Sequence, residues 1–431
     1  MRIRVPSDVV SSITDSFAAK YPSLRQGKNS DEVIQAMLET MRFFGVTNLR
    51  VDEEESLRYS FSKEFAPFLV SSNDKSTGEL EFRKVTDQLD LFLKNKITLL
   101  EFEFQLALQF LDHSRADDTL MTLDIIENMD PGSKSKKLES VRSRAIGIKE
   151  FLSGNISKSM LHFKRALEIG MEIDDTECVA GSYLALGNVY ASLGENEQAN
   201  TYHENAFLAY NEIGNIKGMG RSKNNLAFTC MRMGLFKEAI HTWKEAIDLL
   251  TKANDQNTLQ LAHLNMGELM TTFGYYKDGL ESAMDAYQLS LETGNKRTFH
   301  LARVMMTTID IYSRKHPPSK RFIVEALQYM KQLNFFLNVP YCYEALALYH
   351  IYSGNSEMML KSFKKAISGY AANADTHSVI GAGITFMRTG IIYKLSKKDL
   401  LEANIIVKNK LNNKKDWDRY RSTVSQFFPD A

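Results

Sequence analysis

Proline and glycine are scarce in this chain, whose 431 residues include 8 Pro and 23 Gly. Because strand-rich proteins need many turn residues, this scarcity favours long helices. The three cysteines, Cys178, Cys230 and Cys342, lie far apart and form no C-x-x-C or His–Cys spacing. They fit a reducing cytoplasm, in which we expect them to be small, buried apolar residues.

Long hydrophobic runs and an excess of one charge are also missing. No stretch approaches the ~18 uncharged apolar residues of a membrane helix, and the start, MRIRVPSDVV, has no apolar secretory core. The 53 Lys+Arg residues balance 53 Asp+Glu residues, which excludes a simple polycationic binder of DNA or membranes but leaves room for a local basic face. We therefore expect a cytoplasmic protein.

Motifs of catalysis and of metal binding do not stand out either. The nine His residues are scattered without an H-E-x-x-H spacing, and we find no Gly-rich phosphate loop, G-x-S-x-G or paired catalytic carboxylates. The sequence therefore predicts a protein that is not an enzyme and that needs no cofactor or metal.

What the chain does contain is an internal repeat of 40 residues. One column of the repeat is nearly all small, with Thr307 as the exception: Gly147, Gly187, Ala227, Gly267 and Ala347. A second column is glycine except at Arg314: Gly154, Gly194, Gly234, Gly274 and Gly354. A third column has no gap: Ala166, Ala206, Ala246, Ala286, Ala326 and Ala366.

The spacing within one unit predicts a helical hairpin. Gly187 and Tyr190 fall on one face of a first helix, Gly194 ends that helix, and Ala199 and Ala206 share a stripe of a second helix. Small residues at two columns allow the helices to approach closely, while a column of large side chains fills the remaining space. We place His203 in that packing column with three other residues: Phe163, Trp243 and Phe363.

The unit LGNVYASLGENEQANTYHENA resembles the tetratricopeptide repeat, whose pattern is L-G-x-x-Y, then Gly, then A-x-x-x-F-x-x-A. The next unit, LAFTCMRMGLFKEAIHTWKEA, matches with Cys230 and Trp243 at the aromatic positions. The resemblance implies a mainly α, right-handed solenoid of about seven or eight hairpins over residues 80–431, ending in capping helices. The usual period is ~34 residues, and the longer spacing here is similar to that of bacterial and phage peptide-sensing regulators.

One unit departs from the pattern. The stretch RKHPPSK follows the helix around Met306, and we expect Pro317 and Pro318 to break the hairpin there. The segment after Gly381 drifts from the register and is predicted to form a cap.

Residues 1–75 form a different module, predicted as a strand, RIRVP, followed by two helices. This order resembles the ribbon-helix-helix DNA-binding proteins, in which two chains pair their strands in the major groove. The resemblance implies that Arg2 and Arg4 contact bases and that Lys28, Asn29 and Ser30 meet a phosphate at the second helix. The alternative is a small cap whose strand pairs with TNLRV, and this alternative stays open.

In tetratricopeptide proteins the first helices line a groove that binds extended peptides. Asparagine suits such a groove because its amide both donates and accepts hydrogen bonds. The candidate peptide-binding residues on these helices include four asparagines and two arginines, the latter for a carboxylate: Asn188, Arg221, Asn224, Asn225, Arg232 and Asn265. The basic residues of a chaperone-type carboxylate clamp are not matched, because Leu184 and Asn265 stand in their place.

Two functions remain open after the sequence has been read. The first is a ligand-responsive transcription regulator whose groove binds a peptide or protein and whose N-terminal module contacts DNA as a homodimer. The second is an adaptor or scaffold that binds a partner protein without DNA. Both put the ligand on the first helices of the repeats.

Overall fold

The computed structural model of the chain describes residues 96–112, 114–130, 135–314, 316–333, 335–372, 376–411, 414–425 and 428, with a few separate positions before residue 96. The predicted strand RIRVP and its two following helices therefore lie almost wholly outside the described residues. All regular structure in the ranges from residue 96 onward is α-helical, as the scarcity of turn residues predicted.

Seventeen helices, numbered α1 to α17, follow one another in these ranges: Leu99–Asp112, Ala116–Met129, Lys136–Leu152, Ile156–Glu172, Thr176–Ser192, Asn196–Glu212, Ile216–Met233, Phe236–Ala253, Gln256–Thr272, Tyr276–Thr293, Lys296–Ser313, Lys320–Gln332, Val339–Tyr352, Ser356–Ala372, Thr376–Ile392, Lys397–Lys408 and Lys414–Val424.

The chain divides into two compact units. Unit 1 holds residues up to Thr229 and the short piece Lys252–Asn254, and unit 2 holds Cys230–Thr251 and Asp255–Ala431. In unit 1 the hairpins α1–α2, α3–α4 and α5–α6 pack side by side in chain order, and α7 comes next in the chain. In unit 2 the hairpins α9–α10, α11–α12, α13–α14 and α15–α16 do the same, and α17 packs on α15.

The turns between helices repeat every 20 residues. Every described residue with a positive φ angle lies on this spacing: Ser114, Gly154, Asp174, Gly194, Gly214, Gly234, Asn254, Gly274, Gly294, Arg314, Gly354 and Lys394. The helices from α3 to α6 have 17 residues each, so a helix and a three-residue turn make up one half-repeat. The 40-residue period thus comes from longer helices, with connections that stay short.

In several of these turns, the residue that follows the one with the positive φ angle caps the next helix. Asp175 Oδ1 accepts from the backbone N–H of Cys178 at 3.0 Å, and Asn215 Oδ1 accepts from that of Gly218 at 2.9 Å. Such a cap satisfies one of the N–H groups that the first turn leaves unpaired. Where both are present, turn and cap therefore fix the helix start to the same place in the half-repeat.

The repeat columns form the cores of the hairpins. All six members of the alanine column have no exposed surface. A Cβ added at Gly147 would lie 2.6 Å from the ring of Phe163, and one added at Gly187 would lie 2.4 Å from Nδ1 of His203. The prediction that small residues permit close helix contact is therefore confirmed, as is the burial of His203 at 1% exposure.

The proline-containing unit keeps its hairpin, so the prediction that Pro317 and Pro318 break it is wrong. Helix α11 ends at Ser313 and α12 begins only at Lys320, yet the two helices pack together. The prolines lie in a connection long enough to hold them outside both helices. Arg314 takes the left-handed conformation of the glycine column, with φ 53°, and its Nη2 donates to the carbonyl of Ile392 at 2.7 Å.

Candidate functional site

The first helices of unit 1 converge on a common inner face. Asp112, the last residue of α1, accepts from Nζ of Lys217 on α7 at 2.7 Å, although 105 residues separate them. Helices α3 and α5 lie between α1 and α7 in the chain. The contact therefore shows that successive first helices of unit 1 curve towards one another.

Three predicted asparagines meet on this inner face. Nδ2 of Asn225 on α7 donates to Oδ1 of Asn188 on α5 at 2.8 Å, and Nδ2 of Asn224 donates to Oδ1 of Asn225 at 3.1 Å. Asn188 is exposed, Asn225 is half-buried and Asn224 is 5% exposed. The structure thus joins two neighbouring first helices through side-chain amides, one of which is open to solvent.

The predicted arginine Arg221 lies one turn before Asn225 on α7. Its Nη1 pairs with Oδ1 of Asp112, so the same carboxylate receives both Lys217 and Arg221. The side chains of these two cations are 20% and 24% exposed. Arg221 therefore lies beside an acid of the chain itself, and its predicted contact with a carboxylate of the ligand stays a prediction.

More charges surround this ion pair. A Cβ added at Gly181 on α5 would lie 2.2 Å from Nη2 of Arg144 on α3, so the glycine makes room for that guanidinium. Tyr210, at the end of α6, is 6% exposed, and burial raises its pKa to about 12, with opposing contributions from the charges of Arg144 and Glu177. This end of the inner face of unit 1 is therefore polar and densely charged.

The first helices of unit 2 also converge. Nη1 of Arg388 on α15 donates to the carbonyl of Thr272, the last residue of α9, at 2.8 Å across 116 residues. The predicted residue Asn265 is half-buried on α9, one turn before Glu268. Arg232, in the last turn of α7, is also half-buried and belongs to unit 2.

A tyrosine–glutamate pair joins α13 and α14 of unit 2, near Glu268 of α9. The hydroxyl of Tyr370 donates to Oε2 of Glu344 at 2.8 Å. Burial raises the pKa of Glu344 to about 8, the hydrogen bond from Tyr370 opposes this shift, and the nearby charge of Glu268 adds to it. With its pKa at about 8, Glu344 is mostly a neutral acid at neutral pH and can donate as well as accept a hydrogen bond.

Sequence reasoning missed several of these residues. Lys217 is four residues before Arg221 and shares its helix face, a spacing that could have identified it. Asp112 carries no such signal, because its partners lie on a helix more than 100 residues away in the chain. Glu344 carries none either, because its contact with Tyr370 depends on how α13 and α14 are rotated about their axes, which the sequence does not indicate. The DNA-contact candidates lie outside the described residues: Arg2, Arg4, Lys28, Asn29 and Ser30.

Within the part of the chain that the structure describes, no three or more His, Cys, Asp and Glu residues are grouped so that they could hold a metal ion. Over the same residues, none of the helices combines the length and the apolar character needed to cross a bilayer.

Comparison with known proteins agrees with the fold. No family model matches the chain. Among curated proteins, Tetratricopeptide repeat protein 29 of Trypanosoma brucei brucei is 24% identical over 157 residues, which are 36% of this chain and 33% of that protein. The match thus spans about a third of the length of that relative.

Two solved structures share the architecture. The Rap conjugation gene regulator of the plasmid pLS20, in complex with the Phr* peptide, has a TM-score of 0.54 at 12% identity, covering 79% of this chain and 96% of that one. Aspartyl phosphate phosphatase F from Bacillus subtilis has a TM-score of 0.53 at 15% identity, covering 90% and 94%. At these identities the similarity concerns the fold, and it confirms the tetratricopeptide-like α-solenoid.

Proposed function

We propose that this tetratricopeptide-repeat chain is a non-enzymatic regulatory protein whose inner face binds an extended peptide or a segment of a partner protein. The observation that carries the proposal is the amide pair Asn188–Asn225, which spans two neighbouring first helices at 2.8 Å. One of its members is exposed.

The chemistry of an amide pair suits a peptide backbone. A side-chain amide has two N–H donors and an oxygen with two lone pairs, and the Asn188–Asn225 bond uses one donor and one lone pair. An extended ligand has unpaired backbone N–H and C=O groups along its length. Amides on successive helices can satisfy these groups without selecting particular side chains.

Features of unit 2 support the same function. Asn265 stands one 40-residue period after Asn225, and it is half-buried on the first helix α9. The regulator of plasmid pLS20, which has the same fold, was solved with a peptide, and this is consistent with a peptide ligand here.

The test begins with a peptide selected for binding to the full chain from a random linear library. Asn188→Ala together with Asn225→Ala is expected to weaken that binding by roughly 1–3 kcal/mol, because buried backbone groups of the ligand lose their partners. The measurement is isothermal titration calorimetry on the wild type and the double variant.

Asn211→Ala is the matched control, because Asn211 is an exposed asparagine in the last turn of the second helix α6. It should leave the affinity unchanged. An affinity that survives in the double variant, or that falls equally in the control, would remove the assignment of these amides.

We extend the proposal to DNA binding, and this extension is supported only by the sequence of residues 1–50. In this form the N-terminal module contacts DNA as a homodimer, and the ligand shifts the population between solenoid conformations that present the module differently. Its counterpart is an adaptor that binds a partner protein through the same inner face and leaves DNA untouched.

Retention of duplex DNA separates these two functions. If the strand reads bases, the full chain should bind a selected duplex with an affinity that falls steeply with salt. Arg2→Ala with Arg4→Ala should then abolish specific binding and leave the melting temperature nearly unchanged. A wild-type chain that shows no salt-dependent binding favours the adaptor.

A further inference from the structure

Lys217 and Arg221 lie one turn apart on α7, and both contact the carboxylate of Asp112. The Lys217 Nζ to Asp112 Oδ2 distance is 2.7 Å, and Arg221 Nη1 pairs with the other oxygen, Oδ1. Two cations that grip both oxygens of one carboxylate form the arrangement that proteins use to bind an acidic ligand.

The position of Asp112 is unfavourable for its own helix. As the last residue of α1, it puts a negative charge beside the carbonyl end of the helix, where the helix dipole favours cations. The reason for an acid at this point therefore comes from the contact with α7. That contact joins α1 to α7, which are the first helices of the first and of the fourth hairpin in the described part of unit 1.

The surroundings favour an anion at this point. Arg144 adds a third cation on α3, in the space left by Gly181. The second acid nearby, Glu177, already accepts from Nδ2 of Asn215 at 3.1 Å through both of its oxygens. The three cations of this part of the inner face already outnumber its two acids, and without the Asp112 carboxylate only Glu177 would remain to balance them.

We infer that Lys217 and Arg221 form a carboxylate-binding site on the inner face of unit 1, and that Asp112 occupies this site until an acidic group of the ligand displaces it. The ligand group is an Asp or Glu side chain or a C-terminal carboxylate. The inference rests on the proposed function, and it adds to it both the chemical class of one ligand group and an internal competitor.

Displacement is feasible because the internal pair is weak. The side chain of Asp112 is 36% exposed and both cations are partly exposed, and ion pairs with such access to water add little stability. When the carboxylate of a ligand replaces that of Asp112, Lys217 and Arg221 remain paired with an acid, and the Asp112 carboxylate moves into solvent. The site also lies one turn from Asn225, so one ligand can use both.

The test uses a fluorescein-labelled hexaglutamate peptide as the probe, with hexaglutamine as the uncharged comparison. Asp112→Asn keeps the size of the side chain but removes the charge, and it is expected to bind hexaglutamate about three- to tenfold more tightly than the wild type. Hexaglutamine should bind both proteins equally. Fluorescence anisotropy at low salt gives the affinities.

Two further variants make the outcome specific. Asp124→Asn is the matched control, because Asp124 pairs with Arg142 at 2.9 Å between α2 and α3 of the same unit, and it should leave the affinity at the wild-type value. Arg221→Ala added to Asp112→Asn should cancel the gain. Equal melting temperatures of the wild type and Asp112→Asn verify that the comparison concerns folded protein.

The inference is overturned if Asp112→Asn does not bind hexaglutamate more tightly than the wild type. It is also overturned if the tighter binding persists after Arg221→Ala is added. If Asp112→Asn should fold poorly, Lys217→Gln in the wild-type background gives the same answer, because it must weaken hexaglutamate binding severalfold. The proposed function fails separately, on the Asn188 and Asn225 variants with a neutral library-selected peptide.

Discussion

His203 brings a titratable group into the packing column of the second helices. It is 1% exposed, and burial lowers its pKa to about 4 from an ordinary value of 6.5. The imidazole ring fills the place that Phe163, Trp243 and Phe363 fill elsewhere. A ring of this kind packs well only while it is neutral.

This burial predicts a loss of stability in acid. Because the folded pKa lies below the unfolded one, the contribution of His203 is complete above pH 6.5 and is lost as the pH falls towards 4. Between pH 8 and pH 5 the loss should reach about 2 kcal/mol. Urea unfolding of the wild type and of His203→Phe at both pH values measures it.

Between pH 8 and pH 5, His203→Phe should lose about 2 kcal/mol less stability than the wild type. Other residues titrate in both proteins, so the difference between the two curves is the quantity to compare. Parallel curves would mean that the unfolded and folded states bind a proton at His203 equally well.

At the scale of the helical hairpin, contact between helices depends on the glycine column. Gly187 of α5 faces the buried ring of His203 on α6, and an added Cβ would lie 2.4 Å from Nδ1. Gly187→Ala should therefore lower the free energy of unfolding by about 1–3 kcal/mol through overpacking. Thermal and chemical unfolding check the value.

Gly381→Ala provides the control for that substitution. Gly381 lies within α15, and no neighbouring atom is within 4 Å of an added Cβ. Alanine there should leave the stability unchanged or raise it by up to about 1 kcal/mol, because glycine is a poor helix former. Equal effects at the two sites would show that helix propensity, and not close packing, determines the glycine column.

The sequence predicted these hairpins well because their contacts are local. A helix and its successor meet through residues about 16 positions apart, such as Gly187 and His203, and selection on each pair leaves a periodic column. The 20-residue spacing of the turns was missed, since the turns after the second helices use Asp174, Gly214 and Asn254, and mixed residue types hide the column. Asp and Asn can adopt the left-handed conformation that glycine adopts more readily.

At Arg314 the residue type suggests that the repeated turn is lost, although the turn is present. The sequence reads it as a break in the glycine column, yet it keeps the left-handed turn with φ 53°. Its guanidinium lies 4.3 Å from the centre of the Tyr393 ring, and the Tyr393 hydroxyl donates to the carbonyl of Ile311 at 2.6 Å. These contacts, between residues about 80 positions apart, offset the strain of the turn.

At the scale of the whole molecule, the candidate site combines predictable and unpredictable parts. Asn188 and Asn225 could be found because they occupy fixed places relative to the repeat columns. The acid that meets Arg221 could not, since Asp112 reaches it only through the curvature of three successive hairpins. Curvature sums small rotations between hairpins, and a single sequence does not record them.

The central claim is that first helices of the repeats bind the ligand and second helices do not. Photo-crosslinking tests it most directly, with a benzophenone residue placed in the library-selected peptide and the adducts located by mass spectrometry of the full chain. Adducts confined to first helices, with α5 and α7 among them, are the predicted result. Adducts concentrated on second helices such as α6 or α10 would contradict the account.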